Sequence, residues 1–140
     1  MFEAELVAIH HVGSTAVPGL SAKPEIDVLV EVSDHRAKPE RDRILTDLGY
    51  TRGKDLHSGH HFYRRDVLGV RTHKLHVCCS GHPQIKRMLL FRDMLTRDAS
   101  IRRQYQVLKL ELEASNKGGI AEYLARKAPF IDALVGPTPD

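Results

Sequence analysis

Hydrophobic positions fall in short β-like runs over the first half of the chain and at helical spacing over the second. Leu6 to Val12 reads as a strand that enters a Gly13-Ser14 turn, and a loop punctuated by Pro18, Gly19 and Pro24 follows. A second β-type run starts near Glu25 and ends at Val32. Its alternation places Glu25 and Asp27 on one face, with Ile26 and Val28 expected in the core on the other. Pro39 suits the first turn of a helix whose Ile44, Leu45 and Leu48 form one stripe, and Gly49 supplies a stop. Tyr50 to His60 reads as a strand end plus loop. His61 to Val67 and Val70 to Cys79, joined near Leu68-Gly69, predict an antiparallel hairpin.

The second half is helical. Pro83 opens a helix with Ile85, Met88, Leu89, Arg92 and Leu95 at helical spacing. Asp98 is placed to cap the next, striped by Ile101, Tyr105, Leu108 and Leu112. Lys117-Gly118-Gly119 ends it. A last helix starts near Ile120, where Pro129 is expected to kink or restart it. The expected fold is α/β (α+β): a mixed β-sheet backed by helices, with a helical C-terminal half. Residues 1–135 are expected to form one domain and 136–140 a frayed tail.

Composition narrows the class. Apolar content of 41% and charged content of 28% are ordinary for a globular protein. A net charge of +3 favours anionic small ligands, and the basic residues between Lys86 and Arg103 are interleaved with acids, so a nucleic-acid footprint is not expected. Adjacent Cys78 and Cys79 make no disulfide framework and read as packing residues. The first twenty residues show no signal peptide, and no apolar run is long enough for a membrane span, so a cytoplasmic protein is expected.

The candidate chemistry sits in the first turn and second strand. Glu25 and Asp27 on one strand face suit a hard cation such as Mg²⁺, and the Gly13-Ser14 turn offers backbone N–H groups and a hydroxyl to phosphate oxygens. Lys23 precedes the acidic strand as a phosphate clamp or a partner for Asp27. Arg92 and Lys109 lie on otherwise apolar stripes and require either a structural partner, Asp93 or Glu113, or an anionic ligand. The histidines at 57, 60, 61, 73 and 76 do not make a zinc motif. His73 and His76 alternate faces, while His76 shares a face with Lys74 and lines the cleft.

The block from His11 to Leu20, with Ala22-Lys23-Pro24 and Ile26-Asp27, resembles the GrpB (UPF0157) family. So do Leu75-His76-Val77, Leu90-Phe91-Arg92-Asp93, Tyr105 with Lys109, and Tyr123, Lys127 and Phe130-Ile131. The Gly-Ser turn followed by an acid-apolar-acid strand is similar to the wider polymerase-β-type nucleotidyltransferase superfamily. That likeness implies a nucleotidyltransferase-like fold binding ATP or another nucleoside triphosphate with Mg²⁺. Asp27 and Glu25 would be catalytic and metal-binding, and Gly13, Ser14, Lys23, His11, His76 and Arg92 would bind nucleotide or phosphate. The implied reaction transfers a nucleotidyl group to an acceptor on a small molecule or protein. The alternative is a non-catalytic nucleotide-binding or partner-stabilising module, as in GrpB domains fused to dephospho-CoA kinase. The chain departs from the pattern in three ways. Glu25 stands where an apolar residue is usual, strand 71–77 offers no third acid, and the helix that family members carry before the first strand is expected to be absent. Its absence is expected to bare an apolar patch and favour a homo-oligomer.

Overall fold

A computed structural model describes residues 5–20, 25–35, 38–54, 59–115 and 120–136, with side chains from 125 onward in the last segment. Strands β1 (Leu6–Val12), β2 (Ile26–Val32), β3 (Tyr50–Arg52), β4 (His60–Val67) and β5 (Val70–Cys79) form one sheet in the order β1-β2-β5-β4-β3. Only β2 and β5 run parallel, and the other neighbours are antiparallel. A parallel pair needs a long crossover. Here it comprises helix α1 (Lys38–Asp47), β3 and β4.

The β4–β5 turn is Leu68-Gly69, both with positive φ (53° and 79°), the backbone of a tight hairpin whose twist suits its strands. Leu68 is 99% exposed there, so a branched aliphatic residue holds a conformation it disfavours with no packing in return. β3 is a short addition that the polar pattern of Tyr50 to His60 showed only as a strand end.

The sheet is buried on both faces. Val30, Val32, Tyr63, Leu75 and Val77 pack with Leu45 of α1 on one side. Val12, Leu29 and Cys78 pack with Ile85 of helix α2 (Pro83–Arg97) on the other. In α1 the inward residues are Arg41 and Leu45, and Leu48, expected on the apolar stripe, is 52% exposed because the helix ends at Asp47. Arg41 is fully buried, bonded to Glu5 at 3.2 Å and to the His35 ring at 3.1 Å.

The helical half follows its caps. His82 caps α2, its Nδ1 accepting from the Gln84 N–H, and Pro83 takes the first helical position, where a missing N–H costs nothing. Asp98 ends α2 and starts helix α3 (Ala99–Ser115), its carboxylate accepting from Ser100 and Ile101 N–H groups. Helix α4 (Ile120–Val135) continues through Pro129 without a restart. Gly136, expected in the frayed tail, is tied down: its N–H bonds Asp132 and its carbonyl accepts from Arg87. Residues 137–140 lie outside the described residues. The three C-terminal helices meet around Leu95, Tyr105 and Phe130, with Val17 of the first loop among them. That contact draws the Gly-Ser turn against α3.

Candidate functional site

β1 and β2 are adjacent, yet the connection between them runs from Gly13 to Glu25, far longer than a hairpin requires. It opens with Gly13 at φ 77°, followed by a single 3-10 turn over Ser14–Ala16. Gly13 is sterically compelled. A Cβ there would lie 2.3 Å from Asp27 Oδ2 and 2.9 Å from Asp27 Cβ, so only glycine lets the carboxylate rest against the turn. Beneath the turn, the His11 ring bonds Thr15 Oγ1 at 2.9 Å, and that hydroxyl donates to the Glu25 carbonyl at 3.1 Å. Start and end of the long loop are thereby clamped together.

Register sets the surroundings of Asp27. It stands opposite Val12 on β1 and Lys74 on β5. The Lys74 ammonium reaches Glu25 at 3.4 Å. Glu25 and Asp27 therefore flank one cation. Ile26, expected in the core, is 41% exposed at the start of β2, whereas Val28 packs against the core as expected.

Cations close the site from the helical side. Lys109 of α3, only 7% exposed, donates to Ser14 Oγ at 3.2 Å. This bond reaches the turn across the domain. Tyr105 lies between Lys109 and Lys127, whose ammonium groups sit 6.0 and 5.6 Å from its ring centre. Burial pushes the Tyr105 phenol up to about 12, against a hydrogen bond with Ser14. Burial likewise raises the Asp27 carboxyl above its ordinary range, with Lys74 opposing and Glu25 reinforcing the shift. Lys127 is shifted downward, first by burial and then by Lys74, against the pull of Asp27 and Glu113. Opposite shifts on Asp27 and Lys127, both caused first by burial, mark this cluster as a functional-site candidate.

The remaining candidates make other contacts or lie outside the described residues. Arg92 bonds the His11 carbonyl at 3.1 Å and pairs with Asp93 at 2.9 Å, fastening α2 to β1. His76 is buried against His60, ring nitrogens 2.9 Å apart, opposite Leu29 and so two residues further along the sheet than Asp27. Lys23 lies outside the described residues. Glu31, bonded to Ser80, and Asp66, paired with Arg71, are occupied away from Asp27 and supply no third acid. Among the described residues no cluster of three His, Cys, Asp or Glu can hold a metal, and no helix is long and apolar enough to cross a membrane. Cys78 and Cys79 are both reduced, and burial pushes the Cys78 thiol up to about 12. Lys74 carried no role in the sequence pattern, and its position opposite Asp27 emerges only from strand order.

Comparison with known proteins agrees with this architecture. The chain is 38% identical over 132 residues to UPF0157 protein YqkA of Bacillus subtilis, covering 94% of this chain and 38% of that one. It is 29% identical over 148 residues to a protein named dephospho-CoA kinase from Mycolicibacterium paratuberculosis, covering 88% of this chain and 36% of that one. The chain thus spans well under half the length of either relative. The crystal structure of conserved protein GrpB from Enterococcus faecalis superposes with a TM-score of 0.83 at 29% identity, covering 96% of this chain and 83% of that one. A family model described as GrpB protein matches residues 1–136, and the chain belongs to the GrpB family.

Proposed function

We propose that this protein binds a nucleoside triphosphate together with Mg²⁺, ATP being the first to test, in the cleft between the Gly13-Ser14 turn, Asp27 and α3. The carrying observation is the bond from buried Lys109 to Ser14 Oγ, which trains a cation on the turn that faces Asp27. Lysines 74, 109 and 127 gather around Asp27 and Glu25, with Glu113 acting on Lys127 as well, so cations suited to phosphate stand beside carboxylates suited to a metal.

Two carboxylates, one already engaged by Lys74, fit a Mg²⁺ that arrives on the phosphates, with Asp27 as its protein ligand and Glu25 as the second oxygen source. When bound, the ion would neutralise charge on the phosphates. In the transfer reading, an acceptor hydroxyl attacks the α-phosphate and pyrophosphate leaves. The chain's own residues orient the triphosphate through Gly13, Ser14 and Lys109.

A second reading has its own observation. Lys74 stands directly opposite Asp27, on the neighbouring strand where catalysis by two metals calls for another acid. A non-catalytic nucleotide-binding module fits that substitution, as does this chain's match to part of a relative named dephospho-CoA kinase.

Calorimetric titration with ATP, GTP, CTP and UTP, with and without Mg²⁺, tests the proposal on wild type and Asp27→Asn. Magnesium-dependent binding lost in the variant is expected. A folded wild type that binds no nucleotide overturns it. Pyrophosphate release over candidate acceptors then separates the readings: binding without release leaves the module, and release establishes transfer.

A further inference from the structure

One row of side chains crosses the sheet on the face that carries Asp27. The registers align Val12 of β1, Asp27 of β2, Lys74 of β5 and Arg64 of β4. Directly opposed residues on neighbouring strands share a face and sit close enough to interact, and like charges so placed repel. Lys74 is balanced by Asp27 beside it and by Glu25 at 3.4 Å. Arg64 is not balanced. Its other cross-strand neighbour is Thr51 of β3, and the nearest acid along its own strand, Asp66, is bound by Arg71 at 2.7 Å. Among the described residues the Arg64 side chain makes no hydrogen bond or ion pair, although the residue is half-buried. The row therefore runs acid, cation, cation, and its positive surplus lies at the β4 end, two strand spacings from Asp27.

From this apposition we infer that Arg64, with Lys74, forms a second anion subsite that receives a carboxylate or phosphate of the acceptor molecule. The inference rests on the proposed function for the neighbouring nucleotide, which occupies the β1–β2 side of Asp27. Arg64 then holds the acceptor on the β4 side, with Asp27 between them. A planar guanidinium presents paired N–H donors suited to an oxyanion, and an unopposed cation beside a second cation is relieved by one. The two-cation strip is short, which selects a small anionic acceptor over a nucleic-acid backbone.

The experiment titrates the full chain, saturated with MgATP, with inorganic phosphate and separately with succinate. Arg64→Gln should weaken the bound anion about tenfold or more, with Arg64→Lys intermediate, and leave MgATP affinity within about threefold. The melting temperature of Arg64→Gln should match or exceed wild type, because a like-charge apposition is removed. Phosphate alone binding identifies a phosphorylated acceptor, and succinate alone a carboxylate. A wild type that binds MgATP but neither anion overturns the subsite and leaves the proposed function standing. Equal losses for MgATP and anion also overturn it, since Arg64 would then belong to the triphosphate. If MgATP does not bind yet phosphate does in an Arg64-dependent manner, the nucleotide reading falls and the anion subsite survives.

Discussion

Acid should unfold this protein through one buried imidazole. His76 is 7% exposed and His60 fully buried, and their rings share a hydrogen bond of 2.9 Å. Phe62 and His82 pack around the pair, and Lys74 is the nearest cation along β5. Burial foremost, then His60 and Lys74, pulls the His76 imidazole down to about 3 from its ordinary 6.5. The folded value lies below the unfolded one, so the unfolded chain takes up a proton first. The neutral ring's contribution is complete above pH 6.5 and is lost as pH falls from there toward 3. The slope is about 1.4 kcal/mol per pH unit for one proton, or about 2–3 kcal/mol between pH 7 and pH 4.5. His76→Gln keeps a hydrogen-bonding side chain but cannot titrate. Urea unfolding of both proteins across that range should show the wild type losing its advantage over the variant by this amount. Parallel stability profiles, constant to within about 0.5 kcal/mol, would refute the reasoning, because the acid sensitivity would then reside in other groups.

Further outcomes follow from local geometry. Gly13→Ala combines an unfavourable positive φ with an overlap on Asp27, and should cost about 2–5 kcal/mol by urea unfolding and abolish MgATP binding. Leu68→Asn places a tolerant residue at φ 53° in a fully exposed turn and should stabilise by about 1 kcal/mol in the same assay. In the folded protein at pH 8, Ellman's reagent should leave Cys78 untouched, and urea should release its reactivity; rapid labelling of Cys78 without denaturant contradicts its burial.

The elements themselves were largely legible. Alternation located β1, β4 and β5, Gly69 marked the hairpin, and Pro83 and Asp98 announced helix starts, because each signal acts within a few residues. Gly13, Ser14 and Asp27 were legible as a group since one loop carries them. Lys109 advertised itself as a cation on an apolar stripe, but its bond to Ser14, 95 residues away, is beyond what local spacing shows. The opposition of Asp27, Lys74 and Arg64 depends on strand order and register, which periodicity does not encode. The exposure of Ile26 at the start of β2 and of Leu48 just past the end of α1 is a tertiary fact that local patterning conceals.

The bond from Lys109 to Ser14 also sets a timetable for synthesis. A ribosome adding about 5–20 residues per second needs roughly 5–20 s to make the 95 residues between them. Through that interval the nascent turn and Asp27 have neither α3 nor Tyr105 over them, and β2 waits for its parallel partner until Cys79 has left the exit tunnel. The nucleotide capture proposed above therefore requires synthesis past Lys109: a stalled chain ending before it should bind none, and one that does bind would show that the N-terminal loop suffices on its own.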